Sequence, residues 1–255
     1  RLAGSPQAAA AVEYTRQLMV LELGMDTVWL QPCMVPHWVR GDQEIVRIVG
    51  SSYLGTQELA ALSLGNSVGT PAGGITAEVV EVQTLDELEE LGREKLEGKI
   101  VFFNRPMDPT QIRTFNAYGG AVDQRTQGAA RAARYGAVVA VVRSMTTEID
   151  AIPHTGVTLY EEGGNKIPAL SISTADAELL SQALQQEPIR LYLWTNCRNY
   201  PPTLSYNVIG EIRGRTHPDE IILVGGHLDA WDVGGGAHDD GAGCMHALEV
   251  VRTLK

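Results

Sequence analysis

The stretch EIILVGGHLDAWDVGGGAHDDGAG, residues 220–243, decides how this chain is read. Glu220 to Gly225 is short and almost continuously apolar, the pattern of a strand buried on both faces. His227 stands just past its carboxyl end, the edge at which ligands bind in open α/β sheets. On an extended chain His227 and Asp229 are two residues apart and point to one side. An imidazole so placed can ligate a metal while the carboxylate beside it fixes the ring and raises its basicity. Gly234, Gly235 and Gly236 let the loop fold back and bring Asp239 beside His227. Asp239 can then bridge two metal ions, one oxygen to each, with Asp240 or Asp229 nearby. No Lys or Arg lies between Arg215 and Arg252 to neutralise Asp229, Asp232, Asp239 and Asp240. Crowded at a sheet edge, some of these carboxylates would have to protonate, and a bound metal removes that cost.

A His-x-Asp pair on its own more often marks a structural hydrogen bond. The case for a metal rests on its conjunction with a strand end, a glycine loop, an Asp-Asp pair and a helix start. A nucleotide loop is excluded, because the glycines lack the G-x-G-x-x-G spacing and two aspartates would repel a pyrophosphate. His238 adjoins the Asp pair, but adjacent side chains diverge, so an orienting or exposed role is expected. His37, His154, His217 and His246 are isolated in sequence, and Trp231 either walls a pocket or packs. Ser5, Ser171 and Ser173 lack a G-x-S-x-G context, and Cys33, Cys197 and Cys244 have no neighbouring base.

Around this stretch, the 255 residues leave room for one large domain or two smaller ones, and 44% hydrophobic with 20% charged residues excludes disorder and fibres. A formal charge of −11 makes nucleic acid and anionic membrane surfaces poor partners. Apolar runs such as Ala137–Val142 fall far short of the ~20 residues that cross a bilayer, so no membrane span is expected. Ser5-Pro6 opens a helix that stops at Gly24, and Thr27–Val35 reads as a strand. From Pro36 the texture changes to short strands at Glu44–Val49, Ile75–Val82, Lys99–Asn104 and Ala137–Arg143, with an exposed loop at Met107–Gly120. Helices are expected at Thr126–Tyr135 and, with a Thr cap, at Thr174–Gln186. Ile189–Thr195 and Tyr206–Arg213 read as paired strands across a loop at Asn199–Pro202. Cys244, Ala247, Leu248, Val251 and Leu254 keep helical spacing to the last residue.

The segment GGHLDAWDVGGGAHDDGAG resembles the first metal motif of the co-catalytic di-zinc metallo-exopeptidases. VPHWVRGD (35–42), GTPAGGITAEVV (69–80), RTQGAARAARYGA (125–137) and PHTG (153–156) extend the resemblance over nearly the whole chain. The implied fold class is α/β: a partial zinc-peptidase domain, a mixed sheet with helices on both faces, formed by residues 1–40 and 205–255. An inserted mixed α/β protease-associated domain would occupy residues 41–204. The resemblance implies that His227 ligates one zinc, that Asp239 bridges two, and that Asp229 is a catalytic residue acting as the partner that orients His227. It also implies a cis peptide at Asp239-Asp240 and two Zn2+ per complete site. The reaction would be hydrolysis of dipeptides or short peptides in the carboxypeptidase, aminopeptidase or dipeptidase manner, by a secreted or periplasmic enzyme, often a homodimer.

The family's Glu-Glu pair, which supplies the general base and a ligand, and a further Asp and His stand downstream of this motif, whereas the sequence ends at Lys255. The expectation is therefore an incomplete fragment, inactive or nearly so alone. The rival reading is a non-catalytic protease-associated module that binds a peptide or partner and carries a vestigial metal half-site.

Overall fold

Ile100–Phe103 and Val139–Arg143 are apolar at nearly every position, and strands without a polar face need cover on both sides. In the computed structural model, which describes residues 1–255, they lie inside an eight-stranded mixed sheet. The strands are β1 (Thr27–Val39), β2 (Glu44–Ser51), β3 (Gly55–Leu59), β4 (Ala61–Ser63), β5 (Ile75–Val82), β6 (Ile100–Phe103), β7 (Val139–Arg143), β8 (Ala169–Ile172), β9 (Arg190–Thr195) and β10 (Arg198–Glu211). The helices are α1 (Pro6–Gln17), α2 (Leu85–Leu96), α3 (Thr114–Gly119), α4 (Val122–Thr126), α5 (Gly128–Arg134), α6 (Thr174–Leu184) and α7 (Gly243–Leu254). The chain divides into two compact units, Val39–Asn199 and Arg1–Trp38 with Tyr200–Lys255.

In the unit Val39–Asn199 the sheet order is β3-β2-β9-β5-β6-β7-β8-β4. β5 through β8 run parallel, and β3, β2, β9 and β4 are antiparallel to their neighbours. Period-two alternation divides the core. Ile100, Phe102, Val139 and Val141 pack with Ala177, Leu180 and Ala183 of α6, while Val101, Phe103, Ala140 and Val142 pack with Leu88, Leu96, Ala129, Ala132 and Ala133 of α2 and α5.

Several expectations are corrected here. Ile189–Thr195 does not pair with Tyr206–Arg213, because Leu191 and Leu193 are buried in the sheet core and their strand, β9, lies between β2 and β5. The predicted helix Thr126–Tyr135 is broken at Gln127 into α4 and α5. The cap of α6 is Ser173, whose hydroxyl accepts from the Asp176 amide, whereas the Thr174 hydroxyl turns to Asp150 and Glu148. The stretch Met107–Gly120 contains α3 and buries Met107 and Ala117 while leaving Ile112 and Phe115 exposed.

In the other unit Ser5 caps α1 by accepting from the Ala8 amide at 3.1 Å, and a π-helical turn, Leu18–Glu22, carries the chain toward Gly24. β1 and β10 form a two-stranded sheet, so the mixed sheet covered by helices lies in Val39–Asn199 rather than in residues 1–40 and 205–255. The expected loop at Asn199–Pro202 is part of β10. In a two-stranded sheet every strand is an edge, which tolerates Pro201 and Pro202. Glu220–Gly225 forms no strand, and Ile221, Ile222 and Leu223 are 86%, 91% and 87% exposed. A strand needs a ladder partner for its backbone groups, and neither β1 nor β10 pairs with this run.

Candidate metal centre

The glycine loop folds back as its composition requires. Gly236 takes φ 69°, a left-handed conformation open to glycine, and a π-helical turn over Ala237–Ala242 leads into α7. This reversal places Asp239 against His227, with Nε2 to Oδ1 at 2.9 Å. On the other side of the ring, Nδ1 lies 2.9 Å from the Asp229 carbonyl oxygen and 3.0 Å from its Oδ1. Asp240 joins from the backbone side, its Oδ2 accepting the His227 amide at 3.0 Å. The peptide bond Asp239-Asp240 is cis. The structure thus gathers His227, Asp229, Asp239 and Asp240 in one cluster. His238 is exposed, His246 lies on the exposed side of α7, and His37 stacks on Tyr200 at 5.0 Å.

Cys244 was missed in the sequence. Its thiol donates to the His227 carbonyl oxygen at 3.2 Å, and only the turn geometry, which makes Cys244 the second residue of α7, shows this. His227 and Asp229 line a cavity of about 240 Å³ together with Tyr14, Leu18, Met245 and Leu248. The cavity walls the site with side chains from α1, the π-helical turn after it and α7.

The electrostatics of the ring are set by its partners. Partial burial pulls the His227 pKa down, but hydrogen bonds to the Asp229 carbonyl and the Asp239 carboxylate, with the Asp229 charge, outweigh it and hold the pKa above the ordinary histidine value. A neutral imidazole that donates Nδ1–H to Asp229 carries a lone pair on Nε2. That lone pair and the Asp239 carboxylate face each other, so a positive species belongs between them, either a proton or a metal ion. Two ligand atoms of a tetrahedral zinc stand about 3.3–3.5 Å apart, so the observed 2.9 Å needs to open by only a few tenths of an ångström. The N/O donor set also suits cobalt or manganese. No third His, Cys, Asp or Glu completes a metal-holding group with this pair.

Comparison with known proteins shows what the chain is similar to. Residues 207–255, the segment that holds the cluster, match Peptidase family M28. Carboxypeptidase Q of Bos taurus is 38% identical over 256 residues, a match covering 100% of this chain and 51% of the relative. Carboxypeptidase Q of Xenopus laevis is 39% identical, over 100% of this chain and 52% of the relative. The chain therefore spans about half the length of the curated relatives it matches. A crystal structure of a Peptidase M28 precursor from Shewanella amazonensis has a TM-score of 0.88 at 39% identity, over 95% of this chain and 53% of that one. A zinc aminopeptidase from Bacillus subtilis, at 22% identity and a TM-score of 0.64, covers 100% of this chain and 53% of its own, and shares the fold. The mixed α/β fold is accordingly that of M28 peptidase structures. The segment that holds the histidine–aspartate cluster matches Peptidase family M28, and along the whole of its length the chain is similar to carboxypeptidase Q.

Proposed function

We propose that this chain carries part of the active site of a zinc-dependent exopeptidase that hydrolyses dipeptides or short peptides. The carrying observation is the 2.9 Å approach of His227 Nε2 to Asp239 Oδ1, with Nδ1 already committed to Asp229. His227 would hold one zinc through Nε2, and Asp239 would bridge that zinc and a second one. Zinc bound there supplies Lewis acidity toward water and the peptide carbonyl. Asp229 keeps the Nδ1 proton in place, so that Nε2 presents its lone pair outward. The cavity walled by Tyr14, Leu18, Met245 and Leu248 offers apolar surface to a side chain of the substrate. The remaining ligands and the general base would come from the half of the relatives' length that this chain does not span. Residues 41–204, close to the compact unit Val39–Asn199, would be a protease-associated domain, and the enzyme would act outside the cytoplasm.

The relatives named carboxypeptidase Q favour attack at a free carboxyl terminus. The absence of a third ligand beside His227 and Asp239 favours the second reading, a peptide- or partner-binding module. Hydrolysis of a dipeptide panel, in the 255-residue chain and in a form extended to the relatives' length, separates the two. Zinc-dependent cleavage in the extended form supports the peptidase, and zinc-free inertness of both forms supports the module.

A further inference from the structure

His227 is held through its peptide groups as well as its ring. Asp240 Oδ2 accepts the His227 amide at 3.0 Å, and the Cys244 thiol donates to the His227 carbonyl at 3.2 Å. Asp240 lies in the turn that leads into α7 and Cys244 is the second residue of α7, so both peptide groups of residue 227 are tied to one short stretch of chain. The Asp240 carboxylate can occupy this position because two neighbours have no side chain. A Cβ on Gly226 would lie 2.6 Å from Asp240 Oδ2 and 2.7 Å from the Cys244 amide nitrogen, and one on Gly243 would overlap Asp240 Oδ1. Neither glycine has a positive φ, so the demand at both positions is for space. The GGH and DDGAG ends of the motif thereby acquire a common purpose, which is to seat one carboxylate.

We infer that Asp240 is a positioning residue for the zinc site, one that sets the direction of the His227 side chain by fixing its backbone. This rests on the proposed role of His227 as a ligand. Hydrogen bonds from Nδ1 fix the ring torsions, while the Asp240 and Cys244 bonds fix the backbone from which those torsions are measured. Nε2 is aimed at Asp239 only when both sets hold. Asp240 therefore acts without touching the metal, although it is covalently next to the bridging residue.

The test combines amide hydrogen exchange of His227, followed in chain labelled with 15N-histidine, with zinc affinity measured by competition against a chelating dye. In Asp240→Ala the His227 amide should exchange faster and zinc affinity should fall about tenfold or more, the usual cost of losing an outer partner of a ligand. Asp240→Asn, whose amide oxygen still accepts the backbone N–H, should restore most of both. Gly243→Ala should reproduce the alanine effect with the carboxylate intact. Unchanged exchange and affinity in Asp240→Ala would overturn the inference. So would an Asp240→Asn variant that loses zinc stoichiometry as fully as Asp240→Ala, because that makes Asp240 a ligand. If the unsubstituted protein takes up no zinc, the ligand role of His227 fails, and the exchange measurement still decides whether Asp240 holds the backbone.

Discussion

Removing the Asp229 side chain should weaken zinc binding by about tenfold without abolishing it. Loss of an outer partner of a metal-ligating histidine costs 10–100-fold in affinity as a rule, about 1.4–2.8 kcal/mol. The structure places this case at the low end for two reasons. His227 Nδ1 has two acceptors on residue 229, the carboxylate at 3.0 Å and the backbone carbonyl at 2.9 Å, and alanine keeps the second. The tautomer that offers Nε2 to the metal therefore survives. The carboxylate is also about half exposed, so its charge acts through water and contributes little. Asp229→Asn, which keeps a side-chain acceptor, should cost only a few-fold in affinity while lowering activity in the extended enzyme. The assay is a competition titration with a zinc-chelating dye on the unsubstituted chain, Asp229→Ala and Asp229→Asn. Complete loss of zinc from the asparagine variant would make Asp229 a ligand, and identical affinities in all three would deny it any orienting role.

Other expectations concern the Val39–Asn199 unit and the metal-free ring. A Cβ on Gly128 would stand 2.9 Å from the Phe103 ring, so the overpacking cost of Gly128→Ala, roughly 1–3 kcal/mol, should exceed the ~1 kcal/mol that alanine adds to a helix and leave a net destabilisation of up to about 2 kcal/mol. Thermal unfolding would show this as a Tm lowered by several degrees. Leu180→Ala, at a fully buried position of α6, should cost about 2–5 kcal/mol in denaturant titration. Burial pushes the Tyr160 hydroxyl up to about 12. The neutral form is the one the fold favours, so stability is intact below the ordinary tyrosine value of about 10 and is lost as pH rises from there to the folded value. Absorbance at 295 nm should show one late-titrating tyrosine that Tyr160→Phe removes. The raised pKa of metal-free His227 has the same sign, so its contribution is present below the ordinary value of about 6.5 and fades above the folded one. Histidine proton resonances followed against pH should show His227 titrating above the ordinary histidine value.

The sequence carried the site more clearly than the frame around it. His227, Asp229 and Asp239 could be grouped because their pattern is local: an x-spaced pair, a run of glycines and a helix start within 20 residues. The strands β5, β6 and β7 were legible because β-branched and aromatic runs have few other uses. Glu220–Gly225 looked the same and is not a strand, because whether an apolar run becomes a strand depends on a partner that its own residues do not specify. Pairing failed for the same reason. β9 and Tyr206–Arg213 are near in sequence, but β9 is placed by where Leu191 and Leu193 are buried. The roles of Asp240 and Cys244 were hidden because they act on backbone groups of His227, and a residue string does not show which peptide groups face each other.

The most direct measurement is zinc content after equilibrium dialysis, by elemental analysis, of the extended protein with and without His227→Ala and Asp239→Ala, alongside hydrolysis of a dipeptide panel. About two zincs and hydrolysis are expected in the unsubstituted protein, with zinc lost and hydrolysis abolished in both variants. Zinc content and hydrolysis that persist unchanged when either residue is replaced would contradict its role as a zinc ligand.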